Sequence, residues 1–199
     1  MIALLYWRDI VNKQVLKLTS PIPPSQNHYL GWRAIMKNGK PMAVSYETKE
    51  AKEYKEKFKS HIIEQVKLQN WDWEVNKTQH FYVDAIFYFD RIDKDSSNAD
   101  KCLLDAITET QLIWADDNVA CFRPNRIYYD SKNSRIELTV YPVDYIGIFD
   151  NQEQLDNFEN KCKTCNRYKR NCSILNKAKE GKIQEEICEF KCSKYKESK

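Results

Sequence analysis

The chain has 199 residues, 32 Lys and Arg against 29 Asp and Glu, and a formal net charge of +3. Its 12 Tyr, 8 Phe and 5 Trp can build a real core, and with only 4 Gly and 6 Pro a collagen-like or low-complexity chain is excluded. No apolar run reaches the length of a membrane span, so no membrane partner is expected, and the length suits one ordinary domain with an appendage.

The charge is uneven. Residues 1–160 carry 20 basic and 24 acidic side chains, whereas residues 161–199 carry 12 and 5, together with five of the seven cysteines. This asymmetry predicts a mildly acidic body over residues 1–150 and a basic, cysteine-rich C-terminal module over 151–199.

In chain order, residues 1–9 hold a short apolar stretch without a basic leader or a small-residue cleavage site. They read as a first strand or docked terminus rather than a signal peptide, which fits an intracellular protein. Val15 to Leu18 alternates weakly and stops at Pro21, Pro23 and Pro24. Asn38-Gly39 signals a hairpin or a flexible loop. Thr48 can cap a helix in which Ala51, Tyr54, Phe58, Ile62 and Val66 recur at three or four, running to about Lys67. Residues 80–90 alternate with period two, with Phe81, Val83, Ala85, Phe87 and Phe89 on one face, and predict a strand. A second helix is expected over 99–111 with Cys102, Leu103, Ala106 and Ile107 inward, followed by a break at Asp116-Asp117-Asn118. Residues 119–129 read as one interrupted strand and 135–141 as another, with 130–134 as a hairpin turn between them. The order β–β–α–β–α–β–β predicts an α+β fold: a small mixed sheet with two main helices.

The densest chemistry lies between that first strand and the break. Asp93, Asp95, Asp100, Asp105, Asp116 and Asp117 accompany Asn98 and Lys101. Two carboxylates about 4 Å apart repel by about 4 kcal/mol at an effective dielectric near 20, so a fold that gathers them separates them, protonates one or adds a cation. Hard oxygen ligands suit Mg²⁺ or Mn²⁺, and a helix N-terminus with a lysine beside such a metal suits a phosphate. Lys101 and Asp105, four apart on one helix face, also read more simply as a surface ion pair. Together the groups point to metal-dependent phosphodiester chemistry.

Two segments resemble the RusA family of Holliday junction resolvases, over roughly residues 15–145. The first is Ile22-Pro23-Pro24-Ser25-Gln26-Asn27-His28-Tyr29 followed by Tyr46-Glu47-Thr48-Lys49-Glu50-Ala51-Lys52-Glu53-Tyr54. The second is Asp95-x-x-Asn98-x-x-Lys101-x-x-x-Asp105-Ala106-Ile107 followed by Trp114-Ala115-Asp116-Asp117-Asn118-Val119. The resemblance implies a RusA-like homodimer that cuts branched, four-way DNA with Mg²⁺ or Mn²⁺, in the cytoplasm of a bacterium or from a phage or prophage. By position it implies Asp95, Lys101 and Asp117 as catalytic residues, with Asp95 and Asp117 as metal ligands, Asp116 just before the latter, and Asp93, which lies out of register, as a further candidate ligand. Ser97 stands where the family has an aspartate, so either Asp93 returns to the site or Ser97 ligates through water. The stretch from Asp105 to Trp114 is one residue longer than the family pattern, so Asp116 and Asp117 can exchange roles.

Lys101 would stabilise charge on the phosphorane or leaving oxygen, and Asn98 would orient a ligand or cap the helix. Asn27, Tyr29 and Arg33 on the proline-rich segment, with Asn98 and Lys101, form the expected DNA contact surface. Tyr29 and Trp32 fit core packing equally well. Lys37, Lys40, Lys49 and Lys52 could hold phosphates. The Ser97 departure keeps open a junction-binding protein that has lost cleavage, beside a nuclease acting on another branched nucleic acid.

Cys162-x-x-Cys165, Cys172 and Cys188-x-x-x-Cys192 form a second constellation. A C-x2-C knuckle and a C-x3-C pair returning from a short helix can complete a zinc tetrahedron. Cys162, Cys165, Cys188 and Cys192 are the expected Zn²⁺ ligands, with Cys172 as the spare or substitute. The positive charge around them would assist DNA binding.

Overall fold

The computed structural model describes residues 14–76 and 78–198. The first strand or docked terminus expected within residues 1–9 lies outside the described residues. The chain forms two compact units, one built from the residues through Val75 with Phe81–Tyr141, the other from Asn76–His80 and Pro142–Lys199.

The first unit contains β1 (Leu16–Ser20), α1 (Gln26–Tyr29), β2 (Leu30–Lys37), β3 (Lys40–Glu47), α2 (Lys49–Leu68), β4 (Phe81–Phe89), α3 (Asp100–Thr110), β5 (Ala120–Tyr129) and β6 (Arg135–Pro142). Short 3₁₀ turns occupy Ser96–Asn98 and Asp117–Val119. Four strands make a sheet in the order β1-β6-β4-β5. The β1–β6 pair is antiparallel and the β4–β5 pair parallel, so the sheet is mixed as expected. A parallel neighbour needs a crossover, and α3 supplies it between β4 and β5.

Alternation along β4 buries Phe81, Val83, Ala85, Phe87 and Phe89 on one face. Ala51, Tyr54, Phe58 and Ile62 of α2 and Cys102, Leu103, Ala106 and Ile107 of α3 enter the same core. Each large side chain buried this way contributes about 1.5–3 kcal/mol. Thr48 caps α2, accepting from the Ala51 N–H at 3.3 Å and donating its hydroxyl to the His28 carbonyl at 2.8 Å. The helix ends where Asn70 turns left-handed at φ 50, a conformation that asparagine tolerates.

Two expectations change. Residues 130–134 do not close a hairpin, because β4 lies between β5 and β6. After its parallel crossover β5 fills the sheet edge, and the chain must step past the end of β4, where the Asp130 N–H bonds the Phe89 carbonyl at 2.7 Å. The interrupted strand is instead a single bulged one, its register shifting between Ala85 and Ile86 so that Asn125 is the extra residue. Pro124 beside it is tolerated because β5 is an edge.

Asn38-Gly39 closes a tight hairpin, both residues at positive φ, and β2 and β3 form a separate two-stranded ribbon. The second unit contains α4 (Gln152–Lys163), α5 (Ile174–Lys179), β7 (Ile187–Cys188) and β8 (Lys191–Cys192). Its core is Phe149, Leu155, Phe158, Ile174 and Ala178. Asn151 caps α4 by accepting from the Gln154 N–H at 3.0 Å. Among the described residues no helix is long and apolar enough to cross a membrane.

Candidate active site

Helix α3 sets Lys101 and Asp105 one turn apart, and the 3₁₀ turn that follows brings Asp117 back to them. The Lys101 ammonium donates to Asp105 Oδ1 at 2.7 Å and to Asp117 Oδ2 at 2.9 Å. Hydrogen bonds to these two carboxylates push the Lys101 pKa up to about 12. Asp116 Oδ1 accepts the Asn118 N–H at 3.1 Å and shapes the turn that carries Asp117.

The second oxygen of Asp105 accepts from the Tyr29 hydroxyl at 2.5 Å. The same hydroxyl lies 3.0 Å from Glu47 Oε1. A phenol has one proton, so it serves one carboxylate at a time, and the shorter contact assigns it to Asp105. Burial, followed by the hydrogen bond to Asp105, holds the Tyr29 pKa above the ordinary tyrosine range. Glu47 takes its compensation from Lys55, which also donates to Glu109 Oε1 at 2.7 Å. Lys55 is 3% exposed, and its ammonium stands 5.1 Å from the Tyr29 ring centroid. Burial works against its charge, but hydrogen bonds to Glu109 and Glu47 outweigh that and raise its pKa above ordinary lysine. Lys59 completes the run, 3.0 Å from Glu109 Oε2. The result is a continuous polar chain from Asp117 to Glu109, in which Lys101 and Lys55 each sit between two carboxylates and the neutral Tyr29 hydroxyl stands between Asp105 and Glu47.

The acidic loop is organised differently. Asp95 Oδ1 accepts the Ser97 N–H at 3.0 Å and starts the 3₁₀ turn. The Gln26 amide reaches the Ser97 carbonyl and Asp100 Oδ1, each at 3.3 Å. Asp100 Oδ1 also accepts the Lys101 N–H at 2.7 Å. Asp93 is 3.1 Å from Arg91 and its side chain is 66% exposed, turned to a neighbour rather than to Lys101. Asn27 and Asn98 are exposed. A cleft of about 460 Å³ opens beside these groups, lined by Gln26, Tyr29, Leu30, Asp100, Lys101 and Leu104.

Thus Lys101 and Asp117, which the sequence assigns to one site, are in direct contact, while Asp95 sits on the adjoining loop with its carboxylate bonded to that loop. The Tyr29 ring is 7% exposed and its hydroxyl is bonded inward, so core packing, not base stacking, describes it. Trp32, 70% exposed on β2, is the open aromatic of that segment, and Arg33 lies over Tyr46 at 5.7 Å. From the sequence, Asp105 belonged to the acidic cluster, to the second motif and to an ion pair with Lys101 but had no ligand role, and Glu47, Lys55 and Glu109 had no site role. The available signal was Lys55 itself, four residues after Ala51 and next to Tyr54 on the apolar stripe of α2.

Among the described residues no three His, Cys, Asp or Glu side chains form a group that could hold a metal ion. The donors nevertheless fit a hard divalent cation in kind, because two carboxylates converge on one cation, the Lys101 ammonium. In the second unit, Cys162, Cys165, Cys172 and Cys192 line one cavity, whereas Cys188 is exposed and does not. The C-x3-C segment is a hairpin rather than a short helix. Cys192 pairs with Ile187 and Cys188 with Lys191, so by strand alternation the two cysteines face opposite sides.

Comparison with curated proteins returns no match. The family described as endodeoxyribonuclease RusA matches residues 21–141, more than half of the chain and all of the elements from α1 to β5. That span contains Tyr29, Lys101, Asp105 and Asp117. The chain belongs to the RusA endodeoxyribonuclease family of Holliday junction resolvases.

Proposed function

We propose that this protein is a homodimeric, metal-dependent endonuclease that resolves four-way DNA junctions by paired phosphodiester hydrolysis. The observation that carries the reading is the convergence of Asp105 and Asp117 on Lys101 inside the family-matched segment. Asp117 and Asp105 are the ligands best disposed for Mg²⁺ or Mn²⁺, with Asp95 and Asp116 on the flanking turns as further oxygen donors. When bound, such a cation supplies Lewis acidity at the scissile phosphate and a more acidic water. Lys101 then offers its ammonium to the charge that develops on the phosphoryl oxygens. Tyr29 fixes one oxygen of Asp105 and so sets the direction of the other. Gln26 braces the acidic loop through Ser97 and Asp100, beside the cleft where a backbone can enter.

The β2–β3 ribbon supports a dimer. It exposes Leu30, Trp32, Met36, Met42 and Tyr46, an apolar surface that a second copy would cover. Two copies related by a two-fold axis match a substrate that needs two symmetric cuts. Arg33, Lys37, Lys40, Lys49 and Lys52 supply phosphate contacts.

A second reading, junction binding without cleavage, draws on one observation: the Asp95 carboxylate is bonded within its own loop. Incubating the protein with a synthetic four-way junction and with linear duplex, in Mg²⁺ or EDTA, separates the two. Paired incisions of the junction alone, abolished by EDTA, are the expected result. Selective binding without incision in Mg²⁺ or Mn²⁺ would establish the second reading instead.

A further inference from the structure

The C-terminal unit has a small core for its length, and such units commonly rely on a metal or a crosslink. Its cysteines are all free thiols. Four of them, from three separate stretches of chain, line one cavity of about 800 Å³. Cys162 lies in the last turn of α4 and Cys165 just beyond it, in a turn closed by the Cys165 N–H on the Cys162 carbonyl at 2.9 Å. Cys172 precedes α5, and Cys192 ends β8 on the inward face of the hairpin. Cys162, Cys172 and Cys192 pack against the unit's apolar core.

The C-terminal residues wrap around the C-x2-C turn. The Lys196 N–H donates to Cys165 Sγ at 3.4 Å, the Asn166 N–H to the Lys196 carbonyl at 2.8 Å, and the Ser198 N–H to the Thr164 carbonyl at 3.0 Å. Cys192, Cys172 and Cys165 are the thiols within electrostatic reach of Cys162. Cys188 is absent from that set.

We propose that Cys162, Cys165, Cys172 and Cys192 bind one structural Zn²⁺, with Cys188 outside the site; the four side chains share the cavity without themselves forming a metal-holding group, and the ion would draw them together. Four soft sulfur donors select zinc among common divalent ions. Closing them from one cavity to Zn–S distances of about 2.3 Å ties the end of α4, the start of α5 and the hairpin to one point. The hairpin geometry is what selects the fourth ligand. On a helix Cys188 and Cys192 would share a face, whereas on β7–β8 only Cys192 turns inward.

The test is the metal content of the full-length protein, purified without chelator, and its titration with Zn²⁺ and with Co²⁺ as a spectroscopic probe. One zinc per chain is expected, and Co²⁺ should give the visible bands of a tetrahedral four-thiolate site. Cys188→Ser should keep both. Cys172→Ser should weaken zinc binding by more than the ~10–100-fold that loss of an outer-shell partner costs, and Cys172→His, which keeps a ligand, should recover much of it. A native protein with neither zinc nor cobalt–thiolate bands overturns the proposal, as does iron with an iron–sulfur chromophore. Zinc lost in Cys188→Ser but retained in Cys172→Ser overturns the ligand assignment.

Discussion

Lys55→Met isolates what the buried lysine does. Methionine keeps the length of the stem and removes the charge that Glu47 and Glu109 share. Removing one partner of a fully buried pair costs about 3–5 kcal/mol. Here the lysine side chain is 4% exposed, but those of Glu47 and Glu109 are 32% and 40% exposed. Water therefore takes part of the load, and a loss of about 2–3 kcal/mol is expected. With a urea m-value of about 1–3 kcal/mol/M, the midpoint should fall by about 1–2 M. Tryptophan fluorescence is the right probe, because Trp32, Trp71, Trp73 and Trp114 all lie in the first unit.

The loss must depend on pH. Burial opposes the charge of Glu109, yet hydrogen bonds from Lys55 and Lys59 bring its pKa below the usual glutamate value. A depressed folded pKa contributes stability above the unfolded value near ~4.3 and loses it as pH falls through the folded one. The Lys55→Met penalty should thus be full at neutral pH and shrink below about pH 4, once Glu109 is protonated. An unchanged midpoint, or a penalty equal at both pH values, would refute this charge-pairing account of the network.

Three other substitutions probe separate elements. Tyr29→Phe removes a hydroxyl shared by Asp105 and Glu47; about 1–2 kcal/mol of stability should go, and junction cutting should slow while junction binding is kept. Thr48→Ala removes the α2 cap and should cost about 1 kcal/mol in urea denaturation. Gly147→Ala would set a methyl 2.0 Å from the Ala178 carbonyl at a φ of +58. It should destabilise the second unit by about 2 kcal/mol or more, read as lost hydrogen-exchange protection in α5 with none lost in β4.

Local patterns carried most of the first unit. The stripe of α2, the alternation of β4 and the Asn38-Gly39 turn all depend on neighbours within a few residues, so they can be read from the chain. Strand order cannot, and the segment after β5 shows why: a turn-like sequence says nothing about whether β4 lies between the strands it joins. That Lys101 and Asp117 belong to one site was legible from the family motifs, but their direct contact was not. Nor were the roles of Tyr29, Glu47 and Glu109, because they come from different elements and meet only in the folded chain. Lys55 was the exception, visible as a lysine on an apolar face. In the cysteine module the spacing suggested that Cys188 and Cys192 act together from a short helix, whereas C-x3-C on the observed hairpin turns them to opposite sides.

The central claim is that the carboxylates around Lys101 cut DNA. Single-turnover cleavage of a four-way junction by wild type and Asp117→Asn in Mg²⁺, with junction binding measured in parallel, tests it most directly. The account predicts a loss of cutting of at least ~100-fold in the variant, with binding retained. Cutting by Asp117→Asn at the wild-type rate, or cutting by wild type that persists in EDTA, would contradict it.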